Sequence, residues 1–329
     1  MEFRSMKRRI AGLFIWALLP VALMLPLGTS APAQSPAPAA AGQDDPAWQQ
    51  SLAAWRAQRE KELAAPDGWL TLVGLEWLKP GINSFGAAPD NKVQIRASAP
   101  GHIGMFTLSG KTPATTIVQL LSPAGGFPPD LKLDGQPARE GPLTIDNVKP
   151  SVISWHGLTL VVLARGDRFA LRVKDADSPT RAGFHGLNWY APDPRYRVTA
   201  QWTPFTPMRT EHIPTVIGTT LDMPAPGVAE FTLEGTTYHL APVLEDSAGK
   251  ELFFILRDAT SKTTTYPAAR FLHTGLPDHG LDQPGSLILD FNRLENPPCA
   301  YTPYATCPLP PEINRLPVAL EAGEQRFAH

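Results

Sequence analysis

The stretch Arg195–Trp202, with the sequence RYRVTAQW, decides the fold class of this chain. In it, ring-bearing or apolar side chains alternate with charged or polar ones. Successive side chains of a β-strand point to opposite faces, so this period of two predicts a strand with one buried and one wet face. The stretch Phe169–Lys174 repeats the pattern. Both stretches therefore favour antiparallel sheets over a parallel sheet that is buried on both sides.

Further strand patterns cover most of the chain. They fall at residues 69–78, 92–98, 103–108, 115–121, 131–133, 152–155, 158–164, 231–244 and 252–256. Residues 45–68 differ, because Trp48, Leu52 and Trp55 follow Asp45 at helical spacing. The sequence therefore predicts a mainly β protein, an antiparallel sandwich or open barrel, with one N-terminal amphipathic helix.

Residues 1–33 have the features of a signal peptide. A basic head precedes the apolar run Ile10–Leu27, and small residues follow it. The alternative is a retained membrane anchor, although the run is barely long enough and Pro20 and Pro26 interrupt it. Residues 34–44 are rich in alanine and proline, which predicts a flexible linker. We therefore expect an exported protein, periplasmic or secreted, that is free of the membrane once the signal is cleaved.

The β region divides at about residue 141. Residues 69–140 predict an N-terminal β unit, and residues 141–324 predict a main β domain that ends in a Cys/Pro-rich segment. Alternatively, the last strand returns to the first and joins the two parts. Lysine and arginine (29) nearly balance aspartate and glutamate (31), which gives a net charge of −2. This balance argues against a nucleic-acid binder, whose affinity depends on a basic excess.

Familiar catalytic and metal-binding motifs are missing from the sequence. It contains no nucleophile elbow, no metalloprotease helix motif and no glycine-rich phosphate loop. The eight histidines are scattered, and none is paired at three- or four-residue spacing. We therefore predict neither a metal site nor a cofactor.

The segment Asp290–Leu316 is the candidate site, because both cysteines and six prolines lie in it. In an exported protein, Cys299 and Cys307 predict a disulfide that would contribute roughly 2–3 kcal/mol. Free thiols, a metal pair or a redox pair are the alternatives. Asp290 and Asn292 would share one strand face about 7 Å apart, where they can bind a polar ligand or cap the loop backbone.

Cationic residues form two further candidate groups. If the stretch after Asp258 is extended, Tyr266 and Arg270 share a face, and Arg270 can clamp an acidic ligand or form a structural salt bridge. The second group is either an anion-binding face or a solvated cross-strand network. Its members are Arg168, Arg172, Lys174, Asp175, Arg195 and Arg197.

Several longer motifs carry a resemblance to a known family. They are DFN at 290–292, NPPCAY at 296–301, CPLP at 307–310 and NRL at 314–316. Together with GWL at 68–70, they resemble the uncharacterised bacterial family called domain of unknown function 1684, over about residues 48–324. The resemblance implies no established activity.

These observations favour a protein that binds a small polar or acidic molecule in a cleft between residues 264–272 and 290–316. The expected ligand-binding residues are Asp290, Asn292, Arg270, Tyr266, Tyr301, Tyr304, Asn296 and Asn314. Asn296 and Asn314 are also ordinary turn residues. One alternative is a hydrolase in which Asp290 is the general base, with Glu321, Glu324 or a tyrosine as its partner. Another is a structural protein of the cell envelope.

Overall fold

A computed structural model describes residues 45–110, 112–145, 149–245 and 248–328. The predicted signal peptide and linker lie outside these residues. The first element is helix α1 (Pro46–Leu63), whose N-cap Asp45 accepts hydrogen bonds from the backbone N–H groups of Ala47 and Trp48. The helix ends five residues before Gly68, where a Cβ would lie 2.4 Å from two backbone oxygens, so only glycine fits. Within the described ranges, no helix combines the length and apolar character of a membrane span.

Strands, one short α-helix, α2 (Pro179–Ala182), and several 3-10 turns make up the regular structure of the described residues that follow. The strands in chain order are β1 (Leu72–Trp77), β2 (Gly81–Gly86), β3 (Val93–Gln94), β4 (Gly104–Ser109), β5 (Ile117–Leu121), β6 (Lys132–Leu133), β7 (Gln136–Pro137), β8 (Gly141–Pro142), β9 (Val152–Trp155), β10 (Leu158–Arg165), β11 (Arg168–Asp175), β12 (Arg197–Pro214), β13 (Thr220–Leu233), β14 (Thr236–Leu240), β15 (Leu252–Leu256), β16 (Arg270–Thr274) and β17 (Gly285–Asp290). The predicted mainly β, antiparallel fold with an N-terminal helix is confirmed.

A six-stranded sheet (β1-β11-β10-β9-β6-β7) and a five-stranded sheet (β3-β2-β4-β5-β8) share the first core. Phe85 and Phe106 stack at 4.2 Å in it, and Leu160 and Leu171 contribute from the larger sheet. The pair β2–β3 runs parallel, and the other strand pairs of the described residues run antiparallel. The six-stranded sheet takes strands from both sides of residue 141, so the predicted division there does not separate two sheets.

The second core lies between a four-stranded sheet (β14-β13-β12-β17) and the hairpin β15–β16. Ala200 and Trp202 of β12 are buried in it, whereas Thr199 and Gln201 are exposed, as the period of two predicted. The edge strand β17 pairs with β12, and this register places Arg197 opposite Asp290. That pairing carries the Cys/Pro-rich segment to the side of α1, because β17 leads directly into it.

Two local predictions were wrong. Residues 264–269 are not extended, because Asp258 caps a 3-10 turn whose Thr260 carbonyl accepts from the N–H groups of residues 263 to 265. The strand begins only at Arg270. The strand before the cysteines ends at Asp290, which caps the 3-10 turn Phe291–Arg293, so Asp290 and Asn292 do not share a strand face.

Candidate functional site

Asp290 is placed by hydrogen bonds on both carboxylate oxygens. Its Oδ2 accepts from the indole N–H of Trp48 at 2.8 Å. Its Oδ1 accepts from the backbone and side-chain N–H groups of Asn292, at 3.2 and 3.1 Å. Asn292 in turn donates to the carbonyl oxygen of Asp193 at 2.9 Å. Asp290 and Asn292 therefore cap the loop backbone, which is one of the two functions considered for this pair. The hydrogen bond from Trp48 also holds helix α1 against Asp290.

Arg270 is fully buried and forms an internal ion pair. Its Nη1 lies 3.0 Å from Asp258 Oδ2 and 2.9 Å from the carbonyl oxygen of Leu320. Its Nη2 donates to the carbonyl oxygens of Ala322 and Glu324. Arg270 thus holds the C-terminal tail in place, which is the structural alternative considered for it, and it lines none of the cavities described below.

The remaining predicted polar residues of this region hold backbone or fill the interior. Asn314 donates to the carbonyl oxygens of Ala241 and Ile255 and accepts from the N–H of Ala241, all within 2.9 Å. Asn296 donates through its side chain to the carbonyl oxygen of Gln325 at 2.8 Å. Tyr304 is half-buried against the core. The structure therefore does not gather the predicted residues around one open cleft.

Glu324 accepts hydrogen bonds from three sides although it is fully buried. Its donors are the Tyr301 hydroxyl at 2.6 Å, the Arg59 Nε at 2.9 Å and the Asn296 backbone N–H at 2.7 Å. Burial and then the Glu324 charge raise the pKa of Tyr301 well above its ordinary value. Asp290 and Glu324 bond to opposite ends of α1, and Glu321 is exposed, so the two carboxylates do not form the facing pair that a hydrolase would use.

Cys299 and Cys307 are neighbours and are free thiols in this structure. The Cys299 backbone N–H donates to Cys307 Sγ at 3.1 Å. The neighbouring Cys299 and burial raise the pKa of the Cys307 thiol. Burial and the nearby thiols raise the pKa of Tyr266 to about 12. The predicted disulfide stays a prediction.

A cavity of about 470 Å³ opens beside Asp290, between the end of β16 and the start of α1. Of the predicted ligand-binding residues, Asp290 lines it. The other lining residues are Asp45, Trp48, Ser51, Arg197, Leu272, His273, Thr274, Gly275, Ile288 and Arg293. Its carboxylates are both occupied as N-caps, by α1 and by the 3-10 turn. A ligand in this cavity would therefore meet two carboxylates that are already engaged.

The cationic cavity is larger, about 790 Å³, and lies against the face of the six-stranded sheet that points away from the first core. The register of β10 and β11 places Val161 opposite Arg172 and Thr159 opposite Lys174 on this face. Its lining residues are Asp67, Trp69, Pro150, Val152, Thr159, Val161, Leu163, Arg165, Arg172, Lys174, Thr215, Leu221, Glu245 and Thr306. The volume lies within the ~300–1,000 Å³ typical of small-molecule sites.

Arg172 is the most unusual residue of this cavity. Its Nε is fully buried and has no hydrogen-bond partner among the described residues. Its guanidinium lies 5.3 Å from the centre of the Trp69 ring. Burial, and then the positive charge of Arg165, lower the pKa of Arg172 to about 10. A half-buried cation without an opposing carboxylate is unfavourable, because the lost hydration is not replaced.

Lys174 and Arg165 add positive charge on the same face. Lys174 Nζ donates to the carbonyl oxygen of Asp67 and lies 5.6 Å from the Trp69 ring centre. Burial and then the Arg172 charge lower the pKa of Lys174. Arg165 Nε donates to Thr306 Oγ1 at 3.0 Å, which links the sheet to the Cys/Pro-rich segment. The cavity is therefore electropositive where Arg172 and Lys174 flank Trp69.

Two carboxylates line the cationic cavity, and both are exposed. Glu245 is engaged by His273 Nε2 at 2.9 Å. Asp67 reaches Lys174 through its backbone carbonyl. Among the described residues, no ion pair joins either carboxylate to Arg172. Nor does any group of three or more His, Cys, Asp or Glu side chains in the described part of the chain have the arrangement of a metal site.

The sequence pattern placed Arg172 and Lys174 together but missed the rest of this cavity. The other four members of their predicted group lie outside this cavity. Arg168 stacks on Trp77 at 3.9 Å, and Arg195 pairs with Asp193 at 2.7 Å. Arg197 lines the Asp290 cavity, and Asp175 accepts a hydrogen bond from a backbone N–H. Trp69, Arg165 and Thr306 were not predicted. The available signal was a pair of cations at i and i+2 opposite a strand whose matching positions are valine and threonine.

Comparison with known proteins places the chain in a family. A family model described as a protein of unknown function, DUF1684, matches residues 182–325. A solution NMR structure of an uncharacterised protein from Haloarcula marismortui is 32% identical, over 44% of this chain and 79% of that chain, with a TM-score of 0.38. The chain belongs to the DUF1684 family. No curated protein matches it.

The DUF1684 match begins after the cationic strands. Thr215, Leu221, Glu245 and Thr306 of the cationic cavity fall within residues 182–325, whereas its three cations precede them. The cavity is therefore built from both the matched region and the sheet that comes before it in the chain.

Proposed function

We propose that this DUF1684 protein binds a small organic anion in the cationic cavity, with Arg172 at the centre of the site. The observation that carries the proposal is the buried Arg172 Nε without a hydrogen-bond partner, in a cavity of about 790 Å³. An anion placed there would restore the electrostatic partner that the described residues do not supply to this guanidinium.

The proposed ligand belongs to the class predicted from the sequence, but the proposed site lies elsewhere in the structure. A small acidic molecule was expected between residues 264–272 and 290–316. The cationic cavity uses Thr306 of that second segment as part of one wall and the β10–β11 face as the other. Arg172 replaces Arg270 as the residue that meets the anion, because Arg270 is already paired with Asp258.

Two variants on one strand test the proposal. Arg172→Met removes the buried cation, and Arg168→Met removes an exposed cation that stacks on Trp77 outside the cavity. Titration calorimetry and thermal shift would be run with phosphate, sulfate, acetate, benzoate and octanoate. We expect at least one anion to bind the wild-type protein and Arg168→Met with equal affinity, and to bind Arg172→Met at least tenfold more weakly.

Folding is controlled within the same experiment. Replacing an unpaired half-buried cation by an apolar side chain is expected to leave the melting temperature of the ligand-free protein unchanged or higher. If no anion of the panel binds, or if Arg172→Met binds as tightly as the wild type, the proposal is wrong.

The compartment and the thiols form a separate part of the proposal. The protein is exported, and there Cys299 and Cys307 lose two electrons and two protons to a thiol-oxidising partner and form a disulfide. The Cys299 backbone N–H lies 3.1 Å from Cys307 Sγ, so the two residues are adjacent, which supports this pairing. Mass spectrometry of protein taken from the exporting compartment should show a mass two hydrogens lower than after reduction. An unchanged mass, with two thiols alkylated before reduction, contradicts it.

A further inference from the structure

The cationic cavity has an apolar wall next to its cations. Val161 of β10 pairs with Val152 of β9 on one side and with Arg172 of β11 on the other. Leu221 of β13 lines the same space. These three apolar side chains are half-buried, whereas the neighbouring Leu160 and Val162 point into the core and are fully buried.

An apolar row on the non-core face of a sheet needs an explanation. Antiparallel strands with one solvated face normally alternate apolar and polar side chains. Here Val152 and Val161 break that alternation where the cationic row begins. Small-molecule sites have this composition, mainly apolar with a few polar groups that fix orientation. A hydrated inorganic anion would use the cations and leave the apolar wall in contact with water.

Resting on the anion-binding function proposed above, we propose that the ligand is an amphiphile. Its anionic head lies at Arg172 and Lys174, beside Trp69. Its apolar body lies against Val152, Val161 and Leu221. A carboxylate and a phosphate monoester share the planar or tripodal oxygen acceptors that a guanidinium fork binds, so the head belongs to this shared class.

A homologous series tests the body of the ligand. Butanoate, hexanoate and octanoate would be titrated below their micelle concentrations, beside hexanol and octanol and beside hexyl and octyl phosphate. Each added methylene is expected to tighten binding roughly fourfold, which corresponds to about 0.8 kcal/mol per buried CH₂. The alcohols are expected to bind at least tenfold more weakly than the anions of equal length. A preference for either head supports the proposal and assigns the head group.

A matched pair of substitutions places the body in the cavity. Val161→Thr keeps the shape of the side chain and makes the wall polar. Val198→Thr makes the same change at a half-buried position of β12 outside the cavity. We expect Val161→Thr to reduce the gain per methylene to less than twofold while butanoate still binds, and Val198→Thr to keep the full gain.

The possible failures are distinguishable. If all the anions bind with the same affinity regardless of chain length, the proposal that the ligand is an amphiphile is wrong, and the anion-binding function stands. If no anion of any length binds, both are wrong. If the alcohols bind as tightly as the anions, the proposal that the ligand has an anionic head group is wrong. If Val161→Thr keeps the full gain per methylene, the body does not lie on this wall.

Discussion

Replacing Arg270 by methionine should destabilise the protein strongly without touching the proposed site. The guanidinium is fully buried, pairs with Asp258 Oδ2 at 3.0 Å and donates to three tail carbonyls. Removing one partner of a buried ion pair costs about 3–5 kcal/mol, because the other charge remains without compensation. At roughly 2–4 °C per kcal/mol for a chain of this size, the melting temperature should fall by about 6–20 °C.

Urea unfolding followed by circular dichroism measures this change, with the free energy of unfolding obtained by linear extrapolation. Arg168→Met is the matched control and should lose no more than about 1 kcal/mol, because this exposed side chain gives up only surface contacts such as its stacking on Trp77. Limited proteolysis should cut Arg270→Met near residues 320–324 before the core, since those carbonyls lose their donor. A loss below 1 kcal/mol, or lost anion binding at unchanged stability, would refute the structural role and return Arg270 to the ligand site.

Two further predictions concern titratable groups that form hydrogen bonds. Tyr301→Phe removes the 2.6 Å hydrogen bond to Glu324 and should lower the free energy of unfolding by about 1–3 kcal/mol in the same urea assay, whereas a neutral result would show that the bond contributes little. Burial lowers the pKa of His273, but its hydrogen bond to Glu245 and the charge of Glu295 outweigh that effect and raise it. The stability that this histidine contributes is therefore complete below about pH 6.5 and is lost as pH rises through the raised pKa, so His273→Gln should flatten that part of a stability–pH profile.

The fold class was predictable because its signal is local. Alternation along Arg195–Trp202 and Phe169–Lys174 depends only on the two faces of a strand, and the structure buries the expected side of each. Helix α1 was predictable for the same reason, since a cap and a spacing of three to four residues lie within one short stretch. The lengths of the shortest strands, such as β3, were overestimated, because the extent of a strand depends on partners that are distant in sequence.

The site was harder to predict because polar residues that look available are often already paired. Asp290, Asn292 and Arg270 have the chemistry of a binding site, and in the fold each is occupied by a cap or an ion pair. Arg172 was recognised only as one member of a charged row. The cavity around Arg172 also contains Trp69 and Thr306, and folding brings these residues together from segments that are far apart in the chain.

The way helix α1 is docked has a consequence for how the chain acquires its structure. The hydrogen bonds from Trp48 to Asp290 and from Arg59 to Glu324 join residues 242 and 265 positions apart. Pairings between such distant residues form late and slow folding. During synthesis α1 therefore lacks these two partners until residues 290–324 have been made. A process that requires an unstructured chain, such as threading through a narrow pore, has that interval in which to act.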